Sequence, residues 1–144
     1  MILERRLATA AFTALLTAAT DKPCGIGTAP HAAGRPVAPP YTVLRALPLT
    51  LSGAPFTDLN EDASTLYQVD CVARLHEQAE WLADRVRAGV LSRTADGTWR
   101  HPLRLPGWTC YARGLDLDAG TDHDAAAAIA SYPLRFRLDW TRAA

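Results

Sequence analysis

Tyr132-Pro133-Leu134-Arg135-Phe136-Arg137-Leu138-Asp139-Trp140-Thr141 decides how this chain folds. Tyr132, Leu134, Phe136, Leu138 and Trp140 recur at every second position, and Arg135, Arg137, Asp139 and Thr141 fill the gaps. Successive side chains of a strand point to opposite faces, so the run reads as a strand with one face in a core. The arginines cannot sit unpaired in that core, so the other face meets water or a neighbouring molecule.

Working back from this strand, Thr65–Leu75 shows the same period, with Tyr67, Val69, Cys71 and Ala73 against Gln68, Asp70 and Arg74. Tyr41–Leu51 and Trp108–Leu117 are further strand candidates, and Pro48 bends the first or sets it at an edge. A polar loop, Ser52–Ser64, joins the first two. Asp96-Gly97 is a turn signal and predicts a short hairpin within Leu91–Leu103. Asp124 can cap a short alanine-rich helix over 125–130.

Two longer helices complete the reading. His76–Leu91 carries an apolar stripe of Leu75, Ala79, Leu82, Ala83, Val86 and Val90, and Trp81 falls opposite it. Ile2–Ala19 carries Leu3, Leu7, Ala10, Ala11, Ala14, Leu15 and Ala18 on one face and a stripe of Thr9, Thr13 and Thr17 on the other. Glu4 beside the basic pair and that polar stripe favour a globular amphipathic helix over a signal peptide. Phe12 and Leu16 intrude on its polar side. Large apolar residues off the main stripe are harmless when single, but in a small domain they also mark a partner surface. Residues 21–40, with five prolines and three glycines, are expected to hold no regular structure. A loop of that length is functional or disordered, and mobility in the free chain with ordering on assembly is expected of it.

The expected architecture is therefore α+β: a mainly antiparallel sheet of about four strands plus a short hairpin, with helices packed on one face, in a single domain over 1–144. The chain has 144 residues, 49% of them hydrophobic, which suffices for a buried core. Fifteen basic and fifteen acidic side chains cancel, and Lys22 is the only lysine. That balance argues against a general nucleic-acid binder. No run reaches the roughly 18–20 apolar residues that span a membrane. The odd count of three cysteines, widely spaced, suggests a reducing compartment.

Candidate chemistry is thin. Gly25-Ile26-Gly27 lacks the third glycine and the preceding strand of a dinucleotide loop, and a flexible turn is the better reading. Cys24 and His31 could pair as nucleophile and base, but a Pro/Gly loop holds both. Asp116, Asp118, Asp122, His123 and Asp124 form the densest acidic cluster. Its spacing does not match the calcium loop, and a solvated loop with a capping aspartate is favoured. The scattered histidines do not suggest zinc. No catalytic residue, metal or cofactor is assigned. A small enzyme using Cys24 or the Asp116–Asp124 cluster is the alternative from another class.

Several segments together resemble the tail terminator proteins of long-tailed bacteriophages, also called minor tail or tail-completion proteins. They are Gly25-Ile26-Gly27-Thr28-Ala29-Pro30, then Pro39-Pro40-Tyr41-Thr42-Val43-Leu44; Tyr67-Gln68-Val69-Asp70 leading to Ala79, Leu82, Ala83, Val86 and Arg87; and Tyr132–Leu138. The resemblance is one of pattern and order over most of the chain. It implies a virion protein, made in the host cytoplasm, that forms a ring, typically a homohexamer, at the tail–neck junction. Its partners would be its own copies, the tail tube protein and a head-completion or neck protein, with no membrane, no cofactor and no sequence-specific nucleic acid. A head-closure or adaptor protein is the alternative within that class. On this reading Phe12, Leu16, Trp81, Arg135, Arg137 and Asp139 are the candidate interface residues.

Overall fold

The computed structural model describes residues 2–53 and 60–143. Among the described residues two helices, α1 (Arg5–Thr20) and α2 (His76–Leu91), accompany nine strands. The strands are β1 (Cys24–Ile26), β2 (His31–Ala32), β3 (Arg35–Pro36), β4 (Tyr41–Ser52), β5 (Asp62–Ala73), β6 (Arg104–Leu105), β7 (Trp108–Asp118), β8 (Asp122–Asp124) and β9 (Ile129–Arg142). Strand, at 46% of the described residues, outweighs helix, at 24%.

The expected four-stranded antiparallel architecture is therefore overturned. Among the described residues the main sheet is mixed, seven-stranded and curled, in the order β1-β4-β5-β9-β7-β6 with β8 beside β9. The segment 21–40 supplies much of the difference. β1 runs parallel to β4, from Cys24 beside Thr42 to Ile26 beside Leu44, and β2 and β3 form a small ribbon of their own. Proline lacks a donor but keeps its carbonyl. Thr42 N–H donates to Pro23 O at 3.0 Å, and Val37 N–H donates to Pro30 O at 2.8 Å. Gly25 is required here: a Cβ at this position would stand 2.0 Å from the Thr28 carbonyl oxygen. The run is a folded edge, not the unstructured loop expected.

The long strands are where the alternation put them. β5 pairs antiparallel with β9 along its whole length, with Tyr67 opposite Phe136 and Val69 opposite Leu134. β4 pairs with β5, with a register irregularity between Ala46 and Leu49 that accommodates Pro48. β7 pairs with the other edge of β9 through two such irregularities. Leu134, Phe136, Leu138 and Trp140 are fully buried, together with Tyr67 and Val69 from β5. Leu82, Ala83 and Val86 of α2 join the same core.

Two small elements differ from expectation. The alanine run is a turn joining β8 to β9, because Asp124 Oδ1 accepts from Ala126 N–H (3.0 Å) and Ala127 N–H (3.2 Å) and Ala128 then takes a positive φ of 54°. The capping contact forms, but the chain turns back into β9 before a helix can propagate. Around Asp96-Gly97 the chain does turn, with Gly97 at φ 87°, and the expected hairpin is reduced to one antiparallel bridge between Arg93 and Trp99, flanked by bonds from Thr94 N–H to Thr98 O (2.8 Å) and from Arg100 N–H to Ser92 O (3.0 Å). Of the expected Ser52–Ser64 loop, 54–59 lies outside the described residues, and Asp62–Ser64 belongs to β5.

Candidate assembly surfaces

Phe12 and Leu16 are both fully buried. The Phe12 ring lies 5.2 Å from that of Tyr67 and 6.2 Å, edge-on, from that of Phe136. Their reading as spare apolar surface is corrected: they are the centre of the α1 contact with the sheet. The exposed side of α1 carries Ala10, Ala14, Thr17 and Ala18 instead.

Trp81 is 39% exposed and Leu75 67% exposed. They share a shallow depression of about 410 Å³ with Lys22, Glu77 and Gln78. The Arg85 guanidinium stacks 5.1 Å from the Trp81 ring, so the indole is partly shielded by its own helix.

Arg135, Arg137 and Asp139 lie on the outer face of β9. Arg137 Nε donates to Asp139 Oδ1 at 3.0 Å, and the Arg135 guanidinium stands 3.8 Å from an Asp116 oxygen. The hydrogen bond to Asp139 raises the Arg137 pKa further. Beside them Thr50, Asp62, Ser64 and Tyr111 help to line a polar groove of about 490 Å³. Over β9 and β7 the outer face is thus internally paired and grooved, with Leu117 (40% exposed) and Tyr111 (55%) at its margin, whereas Val43, Asp70 and Val72 on the same face of β4 and β5 are buried.

The residues singled out for catalysis are not gathered together. Cys24 is half-buried in β1, and burial pushes its thiol up, away from the thiolate a nucleophile needs. His31 is exposed, and its Nδ1 lies 2.8 Å from Ala29 O. The acidic cluster is divided. Asp116 faces Arg135, while Asp118 accepts from the Tyr132 hydroxyl and from Arg87 at 3.0 Å. Asp122, His123 and Asp124 stand exposed on β8. Among the described residues no three His, Cys, Asp or Glu side chains converge to hold a metal ion. Among the same residues no helix is long and apolar enough to cross a membrane.

One constellation escaped the sequence reading. The Trp99 ring is flanked by two guanidiniums, Arg93 at 3.7 Å and Arg113 at 4.3 Å. Trp99 and Arg113 line a cavity of about 620 Å³ with Leu103, Leu105, Trp108 and Arg104. Arg113 donates to Val90 O at 3.1 Å, but its Nε and Nη2 are buried without a partner. Desolvation lowers its pKa. Only the concentration of arginine and tryptophan between 93 and 113 hinted at it. Residues fourteen apart on a turn and a strand have no local period to betray them.

No protein-family model matches this chain, and no curated protein is detectably similar to it.

Proposed function

We propose that this chain is a structural phage protein of the tail-terminator kind, not an enzyme. Its copies close into a ring, a hexamer, on the end of the tail tube at the tail–neck junction. The ring ends tube polymerisation and presents a surface to the head-completion or neck protein. It is made in the host cytoplasm and works in the virion.

The resemblance of the glycine-proline run and the closing strand to that family supports this reading. The observation that carries it is the grooved, charge-paired outer face over β9 and β7. A solvated face has no need of an organised charge ladder set beside a groove, whereas a docking face benefits from charges already held in place. Exposed pairs of this type contribute only about 0–1 kcal/mol to folding, so their arrangement adds little to the stability of the free chain.

The test is native mass spectrometry of the wild-type chain and of Arg135→Glu/Arg137→Glu. The wild type is expected to form a closed ring. The double variant is expected to keep its melting temperature within a few degrees and to lose the ring or its joining to the tail. A wild-type chain that stays monomeric at about 1 mM, where a contact of roughly 4 kcal/mol already shows, overturns the reading.

A further inference from the structure

Arg113 poses a problem that the single chain does not solve. A buried guanidinium is tolerated when a carboxylate or a full set of acceptors surrounds it. Here one backbone carbonyl takes one N–H, the neutral Cys110 thiol is the polar side chain beside the group, and Nε and Nη2 are buried without a hydrogen-bond partner of their own. Among the described residues no carboxylate stands within ion-pair distance of Arg93, Arg104 or Arg113, and none lines the cavity. Two cations sharing one indole repel each other, and that repulsion adds to the lowering of the Arg113 pKa. The cavity is thus an apolar pocket with unneutralised positive charge at its wall.

The complementary charge is at the other end of the molecule. β8 is exposed throughout and carries Asp122 and Asp124 at the tip of the hairpin it makes with β9. The cavity lies where Trp108 of β7 pairs with Arg142, while Asp124 pairs with Ile129. Those registers are the two ends of β9, roughly 40 Å apart at about 3.3 Å per residue. No chain can seat its own hairpin in its own cavity. With equal numbers of acidic and basic groups, segregated charge favours head-to-tail contact between copies.

We propose that the cavity beside Trp99 receives the acidic β8–β9 hairpin of a second copy of this chain, with the Asp122 carboxylate of that copy pairing with the guanidinium group formed by Arg93, Arg104 and Arg113 and offsetting part of its charge. This contact joins two different patches, so its repetition generates a ring when the rotation closes. It rests on the ring reading and gives that ring its subunit joint.

The test is a complementation. Arg93→Glu/Arg104→Glu inverts the exposed charge that lines the cavity, Arg104, and the exposed one stacked on Trp99 beside it, Arg93, and spares the half-buried Arg113. Asp122→Lys inverts the hairpin and spares Asp124, which holds the turn. Each protein alone should require at least about tenfold higher concentration to assemble, with an unchanged melting temperature. An equimolar mixture should recover assembly, because each inverted cavity then meets an inverted hairpin. Assembly of the wild type should weaken steeply with added sodium chloride. If the wild type forms rings and both variants form them equally well, this joint is wrong and the ring reading stands. Loss of assembly in the separate variants without recovery in the mixture also overturns the pairing. A wild type that stays monomeric at about 1 mM overturns both.

Discussion

At the scale of single residues, the core of this protein is held by groups whose removal has separable costs. Phe136 is fully buried and meets Phe12 edge-on. Phe136→Ala removes its transfer energy and leaves a cavity, and a loss of about 3–5 kcal/mol in urea unfolding is expected. Trp140 Nε1 donates to Thr65 Oγ1 at 3.0 Å inside the core. Thr65→Val keeps the shape and deletes the acceptor, so the stranded indole N–H should cost about 1–3 kcal/mol, while Thr65→Ser should cost less. The thiols give a pH signature. Burial pushes the Cys110 thiol up to about 11 and raises Cys71 as well. Both stay protonated in the fold when they would ionise in the unfolded chain. Their contribution is fully present below about pH 8.5 and is lost as pH rises toward 11. The urea midpoint should fall from about pH 8 to about pH 10.5, and Cys71→Ala/Cys110→Ala should flatten that fall. An unchanged slope in the double variant would show that other groups cause it.

At the scale of elements, α1 shows how an apolar stripe misleads when alanine draws it. Leu3, Leu7, Ala10, Ala11, Ala14, Leu15 and Ala18 satisfy helical spacing, yet Ala10, Ala14 and Ala18 face outward. Apolar burial scales with area, and one Phe and one Leu outweigh several methyl groups. The helix therefore turns Phe12 and Leu16 inward. The threonines permit it: Thr13 and Thr17 donate to the carbonyls one turn back, and Thr9 Oγ1 bonds the Tyr67 hydroxyl at 2.9 Å. The same helix approaches α2 so closely that a Cβ on Gly89 would stand 2.3 Å from that of Ala19. Gly89→Ala should therefore destabilise by about 1–3 kcal/mol despite alanine's higher helix propensity. Adding Ala19→Gly should return part of the loss, so the double variant is more stable than the sum of the singles. Strict additivity would place the Gly89 effect elsewhere.

At the scale of the whole molecule, the mixed sheet has two consequences. Its outer face stays exposed along β7 and at Arg137 of β9, and its charge divides between a cationic cavity at one end of β9 and an acidic hairpin at the other. A formally neutral chain built this way gains from contact with its own copies, and raised ionic strength opposes that contact. Wild-type assembly followed by mass photometry should therefore give way to monomer as sodium chloride rises from about 0.05 M to about 1 M, while the melting temperature hardly moves. Salt-independent assembly would point to an apolar joint, for which Leu75 and Trp81 are among the exposed apolar residues.

The sequence by itself determined the four long strands, the helix over His76–Leu91 and the buried face of the closing strand. Each of these is written in a local period that burial on one side enforces. It determined the turn at Asp96-Gly97 and the capping role of Asp124 for the same local reason. Tertiary structure alone decided that Cys24–Ile26 becomes a parallel edge strand, since its partner Thr42–Leu44 lies well along the chain and prolines conceal the pairing. It decided the rotation of α1, because only the surface it meets weighs Phe12 against a row of alanines. It also decided that Arg93, Trp99 and Arg113 meet. A side chain's charge is legible in the sequence, but whether that charge finds a partner depends on which distant residues the fold brings beside it.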